Sequence, residues 1–257
     1  MRSAKPYILL TNDDGIYAMG IYALWEAITP LGEVAIVAPD TEKSAVGHAI
    51  TIADPIRTQP VNRRSGFEGV AVTGTPADCV KIAVRSLLDR KPDLIISGIN
   101  AGANVGNNII YSGTVSAATE GTMLGIPSIA VSLNSFKGRH WESAQKYARL
   151  FAARTLERSL PPGTLLNINV PDLPLEEIRG IKPARQGHVY FEDRFDKRED
   201  PRGRRYYWMT GEIVDPSEGE EADSVLLHQG YATVTPIHYQ LTHEAFLQEL
   251  NTWELDD

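Results

Sequence analysis

Oxygen-bearing side chains follow four short apolar runs of this 257-residue sequence. The first run ends in Asn12, Asp13 and Asp14, the second leads to Ser44, the third ends in a threonine-containing turn, and the fourth leads to Asn100. Adjacent carboxylates repel each other, and a partly buried crevice holds them at a high cost unless a cation compensates the charge. Carboxylate, hydroxyl and amide oxygens suit Mg²⁺ or Mn²⁺ better than zinc. The pattern predicts a divalent-cation site.

An alternative interpretation of residues 12–15 is an Asx turn that caps the following helix. This tetrapeptide alone supports the two interpretations about equally. The polar residues at the other three strand ends favour the metal site. His48 is the only histidine near these ends, and no His or Cys lies at metal-ligand spacing.

A glycine-rich stretch, residues 98–106, precedes Ser112, Gly113 and Thr114 at the predicted start of a helix. Glycines let backbone N–H groups approach an anion, and a helix amino end attracts one. We therefore predict a phosphate site here and group Asn12 with it. The alternative is that the glycines only permit tight packing, but a loop this long is uncommon unless it is functional.

Short β-branched runs alternate with segments of helical period along most of the chain, which is typical of an α/β, Rossmann-like, doubly wound and mostly parallel sheet. In such a sheet, ligands bind at the carboxyl ends of the strands, where the residues above lie. The predicted strands are 7–11, 33–38, 69–73, 93–97, 128–133, 165–170 and 231–235. The predicted helices are 17–28, 76–88 with Thr75 as N-cap, 114–125, 142–158 and 244–253.

The alternation stops after about residue 181, where charged, aromatic and turn residues are mixed. We therefore predict that residues 1–180 form a catalytic α/β domain. We further predict that residues 181–257 form an extended arm or hairpin and a closing helix, which serve oligomerisation. The charged residues 191–207 favour a solvated hairpin tip over a phosphate-binding patch.

The net charge of −8 and the isoelectric point near 5.3 disfavour a polymeric nucleic acid as partner, because that affinity comes from Lys and Arg. Cys79 is the only cysteine, so no intrachain disulfide is possible, and we expect it to be a small buried hydrophobe. The apolar run at 7–11 is too short for a signal sequence or a membrane span. We expect a cytoplasmic protein with no membrane partner.

Three competing motifs are absent. The sequence has no G-x-G-x-x-G after the first strand, no G-x-x-x-x-G-K-[ST] and no G-x-S-x-G. Dinucleotide-binding, P-loop and serine-hydrolase interpretations therefore lose their main support. An Asp-x-Asp phosphatase motif is also absent, because the acidic pair is contiguous.

Over most of its length the sequence resembles the stationary-phase survival protein family SurE, which comprises 5'/3'-nucleotidases. Several long motifs in one order carry the resemblance. They are LTNDDG (10–15), APDTEKSAVGHAIT (38–51), GTPADCV (74–80), SGINAGANVG (97–106), YSGTVSAATEG (111–121), DPRGRRYYW (200–208) and GYATVTP (230–236).

The resemblance implies one divalent cation per subunit, Mg²⁺ or Mn²⁺, held by residues that the strand-end argument also selects. It further implies release of phosphate from nucleoside 5'- and 3'-monophosphates, some activity on short polyphosphate, and self-association through the carboxyl-terminal arm into dimers or tetramers. The implied ligands are Asp13, Asp14, Ser44 and Asn100, and the implied phosphate-binding residues are Asn104, Ser112, Gly113 and Thr114.

Two chemical routes fit Asp13 and Asp14 as catalytic residues. Either one is the general base for a metal-activated water that attacks phosphorus in line, or one is a nucleophile that forms an aspartyl-phosphate. Tyr111 either stacks on a nucleobase or only packs against its neighbours, and the sequence favours the two roles equally. The rival functions are a non-catalytic metal- and nucleotide-binding sensor and, more weakly, a dinucleotide-dependent oxidoreductase.

Overall fold

The computed structural model describes residues 5–63, 66–217, 219 and 221–253. Eleven strands and seven α-helices are assigned in these residues. The strands are β1 Tyr7–Thr11, β2 Glu33–Pro39, β3 Thr58–Asn62, β4 Glu68–Val72, β5 Leu94–Ala101, β6 Ser128–Asn134, β7 Thr164–Pro171, β8 Ile181–Pro183, β9 Tyr190–Glu199, β10 Arg205–Val214 and β11 Ala232–His238. The helices are α1 Met19–Ile28, α2 Pro76–Ile82, α3 Asn108–Tyr111, α4 Gly113–Met123, α5 Trp141–Arg158, α6 Asp223–His228 and α7 Glu244–Leu250.

Nine of these strands form one central sheet in the order β3-β4-β2-β1-β5-β6-β7-β11-β8. The six strands from β4 to β7 in this order are mutually parallel, and β3 and β11 are antiparallel to their neighbours β4 and β7. The predicted α/β, doubly wound and mostly parallel sheet is therefore confirmed.

Apolar side chains alternate between the two faces of the sheet because successive strand residues point to opposite sides. On β1, Ile8 and Leu10 belong to a core cluster that includes residues of α1 and α5, and Leu9 belongs to a second cluster that includes residues of α2 and α4. Cys79 lies fully buried in that second cluster, as predicted, and burial raises the pKa of its thiol. A thiol in this environment is unreactive.

All seven predicted strands are present, with ends shifted by up to four residues. Thr75 caps α2 as predicted, because its hydroxyl accepts the Asp78 N–H while the Asp78 carboxylate accepts the Thr75 N–H. The predicted closing helix 244–253 is too long, since α7 ends at Leu250 and a turn follows. The short elements β3, β8, α3 and α6 were not predicted, because segments of three to six residues carry little periodic signal.

The strands β9 and β10 form a separate two-stranded hairpin, each ten residues long. The region 191–207 is therefore mostly strand, and only residues 200–204 form the tip. The two remaining strands beyond residue 180, β8 and β11, complete the edge of the central sheet. The functional division of the chain at residue 180 stays a prediction. In the described ranges, no helix combines the length and the apolar character needed to cross a membrane.

Candidate active site

The connections of the sheet reverse direction at β1. The chain leaves β1 through α1 to β2 on one side, and later returns through α2 to β5 on the other side of β1. The carboxyl ends of two strands at such a switch point leave a crevice between their diverging loops, and ligands bind there in open α/β sheets. An open cavity of about 390 Å³ lies at this point.

The cavity brings together six of the nine predicted site residues. The other three, Asn12, Gly113 and Thr114, are buried and are not among the residues that line it. Lining residues that the sequence did not point to include Glu42, Asn108 and Phe136. The six predicted residues at the cavity are Asp13, Asp14, Ser44, Asn100, Asn104 and Ser112.

Asp13 lies against the amino end of α4. Its side chain is almost fully buried, and its Oδ1 atom accepts a hydrogen bond from the Thr114 hydroxyl. A Cβ atom on Gly113 would lie 2.7 Å from the Cβ of Asp13, so glycine permits this close approach. The structure therefore shows Gly113 and Thr114 supporting Asp13, and their assignment to phosphate stays a prediction.

The turn after β1 does not cap the next helix. Asn12 Nδ2 donates to the Gly15 carbonyl at 2.9 Å, but this is not the expected Asx turn, because Asn12 Oδ1 accepts no hydrogen bond from the residues that the structure describes. In addition, α1 begins at Met19 and receives no side-chain cap, so neither aspartate is used as an N-cap. The capping alternative is therefore wrong, and the acidic pair needs another explanation.

A bulge in β5 positions the opposite wall of the cavity. The register between β5 and β6 shifts between Ser97 and Asn100, and such bulges re-aim the side chains that follow. Beyond the bulge, the Ala101 N–H donates to Asp14 Oδ2 at 3.1 Å, and Asn100 Nδ2 donates to the Gly102 carbonyl at 2.7 Å. With its amide nitrogen so engaged, Asn100 has Oδ1 available as an acceptor or a metal ligand.

The charged side chains that line the cavity are negative. Burial raises the pKa of Asp13, although the hydrogen bonds from Thr114 oppose this effect. Burial, and after it the charge of Asp13, raises the pKa of Asp14 to about 6. Glu42 adds a third carboxylate, and among the described lining residues there is no Lys or Arg. A bound cation would offset the repulsion between these carboxylates.

Ser44 is held at the rim by a loop that bonds directly to the acidic pair. The Lys43 N–H donates to the Asp13 carbonyl at 2.8 Å, and Ser44 Oγ donates to Glu42 Oε1 at 2.6 Å. Ser44 is exposed, so its hydroxyl can exchange this partner for a ligand at small cost. The structure thus brings Ser44 to the same cavity as the two aspartates.

A buried ion cluster fixes the far end of this loop. Glu120, on α4, is 2% exposed and bonds to His48 Nε2 at 2.9 Å and to Lys81 Nζ at 2.6 Å. Burial raises the pKa of the Glu120 carboxyl, but these two partners outweigh it and the pKa lies below its usual range. Sequence reasoning missed Glu120, because nothing in its local pattern distinguishes it from an ordinary helical glutamate.

Asn104 is held by a buried amide network at the ends of β6 and β7. Its N–H donates to Asn169 Oδ1 and its side-chain Nδ2 to Ser132 Oγ, both at 2.8 Å. Its carbonyl accepts from Asn167 and Asn169 at 2.8 and 3.0 Å. Sequence reasoning missed this network, although two asparagines at alternate positions of an otherwise apolar strand were a signal for it.

Several backbone N–H groups of the glycine-rich loop already donate hydrogen bonds to other parts of the protein. The N–H groups of Gly102 and Asn104 donate to Leu133 and Asn169, and that of Gly106 donates to Asp223 Oδ2 at 3.1 Å. These three N–H groups therefore already have partners within the protein, and the assignment of the loop to phosphate stays a prediction. They hold the loop rigid, and the fully buried Asp223 is part of the support.

The donor set fits a hard divalent cation. Two carboxylates, a hydroxyl and an amide oxygen face one cavity, and oxygen ligands of this kind suit Mg²⁺ or Mn²⁺. In the part of the chain that the structure describes, no group of three or more His, Cys, Asp or Glu side chains is placed to hold a metal ion. A cation here would therefore need the neutral oxygens of Ser44 and Asn100 beside Asp13 and Asp14.

Replacing Gly113 by Ala is expected to lower turnover about tenfold or more, because the new methyl group must displace Asp13 and misplacement of this size is costly in catalysis. The new methyl carbon would lie 2.9 Å from Asp13 Oδ2, so the carboxylate itself must move. Initial rates of the phosphate release that the family resemblance implies measure the effect. Thr119→Ala on the same helix is the control, because its hydroxyl bonds to the Val115 carbonyl and should be dispensable. A Gly113→Ala enzyme within twofold of the parent would contradict the role of this contact.

The fold and the cavity define a doubly wound α/β protein with an acidic ligand site at its switch point. The family model "Survival protein SurE" matches residues 8–193. A protein named 5'-nucleotidase SurE from Syntrophobacter fumaroxidans is 51% identical over 248 residues, covering 96% of this chain and 99% of the relative. One of the same name from Christiangramia forsetii is 45% identical and covers all of both chains.

A solved structure agrees with these relatives. The crystal structure of the SurE protein from Aquifex aeolicus has a TM-score of 0.83 and 42% sequence identity, and the match covers 96% of this chain and 98% of that one. The chain belongs to the SurE family.

Proposed function

We propose that this protein is a metal-dependent phosphomonoesterase that hydrolyses nucleoside 5'- and 3'-monophosphates to nucleoside and phosphate. The observation that carries the proposal is the composition of the cavity wall. The carboxylates of Asp13, Asp14 and Glu42 line it, and no basic residue does so in the part of the chain that the structure describes. Such a cavity would repel a phosphate ester unless a cation were bound first. The names of the relatives supply the substrate class.

Asp13, Asp14, Ser44 and Asn100 are the residues that we propose hold the cation, one per subunit. When bound, Mg²⁺ or Mn²⁺ supplies positive charge to the phosphoryl oxygens and lowers the pKa of a water molecule. Asp13 is fixed for this task by Thr114 and by the close approach of Gly113. Asp14 is fixed by the Ala101 N–H.

Ser112 and Asn104 are the phosphate-binding residues that line the cavity. The Ser112 Oγ atom accepts the Val115 N–H at 3.1 Å, so the hydroxyl hydrogen is left to donate to a phosphoryl oxygen. Asn104 has one amide hydrogen bonded to Ser132 and a second one to offer. Both donors are held in place before substrate arrives, which lowers the entropic cost of alignment.

The proton of the attacking water has two acceptors in reach of the cavity. Asp13 Oδ1 is occupied by Thr114 and Asp14 Oδ2 by Ala101, which leaves Asp13 Oδ2 and Asp14 Oδ1 as the candidate bases. In the alternative route, one of these oxygens attacks phosphorus, the ester bond breaks, and water then hydrolyses the aspartyl-phosphate. Mass spectrometry after acid quench distinguishes the routes by the presence of a phosphorylated aspartate.

A phosphate-release screen tests the proposed function. Its substrates are the 5'- and 3'-monophosphates of the common nucleosides and a short polyphosphate, each with Mg²⁺, with Mn²⁺ and with chelator. We expect metal-dependent release from the monophosphates. A sensor without catalysis would bind nucleotide and release no phosphate above background, and an oxidoreductase would show cofactor absorbance after purification.

We further propose that the hairpin of β9 and β10 joins copies of this chain into dimers or tetramers. Opposite residues in the antiparallel register share a face, and one face of this hairpin carries five large apolar or aromatic side chains beside four charged ones. An isolated two-stranded hairpin is marginal in water, and an exposed apolar face of this kind marks an interface. The residues of this face are Phe191, Phe195, Tyr207, Met209 and Ile213, all of them exposed.

The assembly proposal predicts a mass of at least twice 28.3 kDa by light scattering at micromolar concentration. Phe195→Asp places a charge on the apolar face and is expected to shift the mass toward that of one chain. Asp193→Ala, on the same face at a polar position, is the control and should leave the mass unchanged. A parent protein that runs as a single chain would refute the proposal.

A further inference from the structure

Ser44 lies on a short span of chain that is anchored on both sides. Before it, the Lys43 N–H donates to the Asp13 carbonyl at 2.8 Å, and after it the Gly47 N–H donates to the Tyr111 carbonyl at 3.0 Å. Only three residues lie between these two bonds. The place of the Ser44 hydroxyl therefore depends on how firmly both anchors are held.

The residue after Gly47 extends the second anchor into the interior of the protein. His48 Nε2 lies 2.9 Å from Glu120 Oε2, and Lys81 Nζ donates to Glu120 Oε1 at 2.6 Å. The side chain of Glu120 is 3% exposed, whereas those of His48 and Lys81 are 32% and 42% exposed. The buried carboxylate is therefore the fixed member of this cluster, and the loop is attached to it.

Helix α4 carries Glu120 and also the residue that bonds to the Asp13 side chain. The Thr114 hydroxyl, in the first turn of α4, donates to Asp13 Oδ1, and Glu120 follows six residues later. At 1.5 Å per residue these two positions are about 9 Å apart along the helix axis. One rigid helix thus sets the position of Asp13 relative to the loop that carries Ser44.

Stability alone does not require a carboxylate at this position of α4. Removing ionic groups from water costs free energy, and well-packed apolar residues of similar volume are often as stable as a buried ion pair. Other buried residues of α4 are small and apolar, among them Val115, Ala117 and Ala118. What a charged hydrogen bond adds to such packing is direction, because its length and angle fix the partner in one place.

We propose that Glu120 is a positioning residue, which holds the Ser44 hydroxyl in place for the cation through the bond to His48. This inference rests on the proposed function, because it takes Ser44 as a ligand of that cation. Glu120 is not among the residues that line the acidic cavity, so it acts through the loop and not by contact with substrate. Loss of its charge should therefore weaken metal binding.

Glu120→Gln keeps the shape of the side chain but has only one acceptor oxygen, so it cannot accept from both His48 and Lys81. We expect calorimetric titration with Mn²⁺, in the absence of nucleotide, to show affinity about tenfold lower than in the parent, the usual loss when a group that orients a metal ligand is removed. His48→Ala, which leaves the Glu120 and Lys81 pair intact, should show a loss of the same size. It also provides the test if Glu120→Gln does not fold.

A double-mutant cycle separates positioning of Ser44 from general support of the fold. Ser44→Ala should itself weaken Mn²⁺ binding, and adding Glu120→Gln or His48→Ala to it should then change the affinity by less than twofold, because the group being positioned is gone. A tenfold loss that persists in the Ser44→Ala protein would refute the proposal, since Glu120 would then act by another route.

Glu157→Gln is the matched control, because Glu157 is also a helical glutamate paired with a cation, here Arg154 at 3.4 Å, and it does not line the acidic cavity. It should bind Mn²⁺ as the parent does. Affinity that falls with Ser44→Ala but with neither Glu120→Gln nor His48→Ala would overturn the positioning role alone. Affinity that is independent of Ser44 would overturn both that role and the ligand assignment. A parent that binds Mn²⁺ in the expected Glu120-dependent way but releases no phosphate would overturn the hydrolase proposal alone.

Discussion

Replacing Asp13 by Asn is expected to lower phosphate release by about a hundredfold or more at saturating metal. The change keeps the shape of the side chain and removes one negative charge. If Asp13 is a metal ligand, that charge stabilises the cation and, through it, the transition state by several kcal/mol, and each 1.4 kcal/mol or so is tenfold in rate. Initial rates on AMP measure the loss. A variant within a few-fold of the parent would show that Asp13 is not a ligand.

The same variant should melt at an equal or higher temperature than the parent in chelator at pH 7. Burial raises the pKa of Asp13 in the folded state, so its ionised form costs stability once the pH exceeds that raised pKa. The stability gain from Asn therefore grows as the pH rises from the ordinary pKa of about 4, below which the aspartate is protonated in both states, and it is complete above the raised pKa. Asp54→Asn, at an exposed loop position, is the control for the charge change.

Removal of divalent metal is expected to abolish turnover while the fold survives. The two large core clusters of the sheet are built from apolar side chains on both of its faces, so folding does not depend on a metal. Chelator should reduce phosphate release to background, and Mg²⁺ or Mn²⁺ should restore it. The circular dichroism spectrum should not change. Undiminished turnover in chelator would exclude the metal assignment.

A second readout of the metal site does not depend on activity. A ligand that binds only the folded state raises the melting temperature by mass action. Adding Mn²⁺ should therefore stabilise the parent and have a much smaller effect on Asp13→Asn. Equal stabilisation of both proteins would place the cation elsewhere.

The sequence by itself determined the features that arise from local pattern. Seven strands could be predicted because short β-branched runs alternate with segments of helical period, and α2 because Thr75 and Pro76 form a local cap. The ends of these strands then marked Asp13, Asp14 and Asn100 as neighbours, since parallel strands place their carboxyl ends at one edge of a sheet. The family resemblance agreed, and the family is confirmed.

Only the tertiary structure decided how these residues are supported, because support comes from contacts between distant segments. Asp13 is held by Gly113 and Thr114, which lie about a hundred residues later in the chain, and Asn104 by asparagines on β7. Pairing of β11 with β7 could not be read from the sequence, since a strand carries no local mark of the strand beside which it will lie.

The shape of the cavity was likewise decided by long-range packing. The glycine-rich loop is held rigid because its Gly102 and Gly106 N–H groups donate to Leu133 and Asp223, while its assignment to phosphate stays a prediction. Phe136 lies in a short loop after β6 and has no sequence pattern that sets it apart. It becomes noticeable only in the structure, where it lines the acidic cavity and its ring packs against Gly102. Burial and exposure are properties of the folded chain, so residues distinguished by them are found only in the structure.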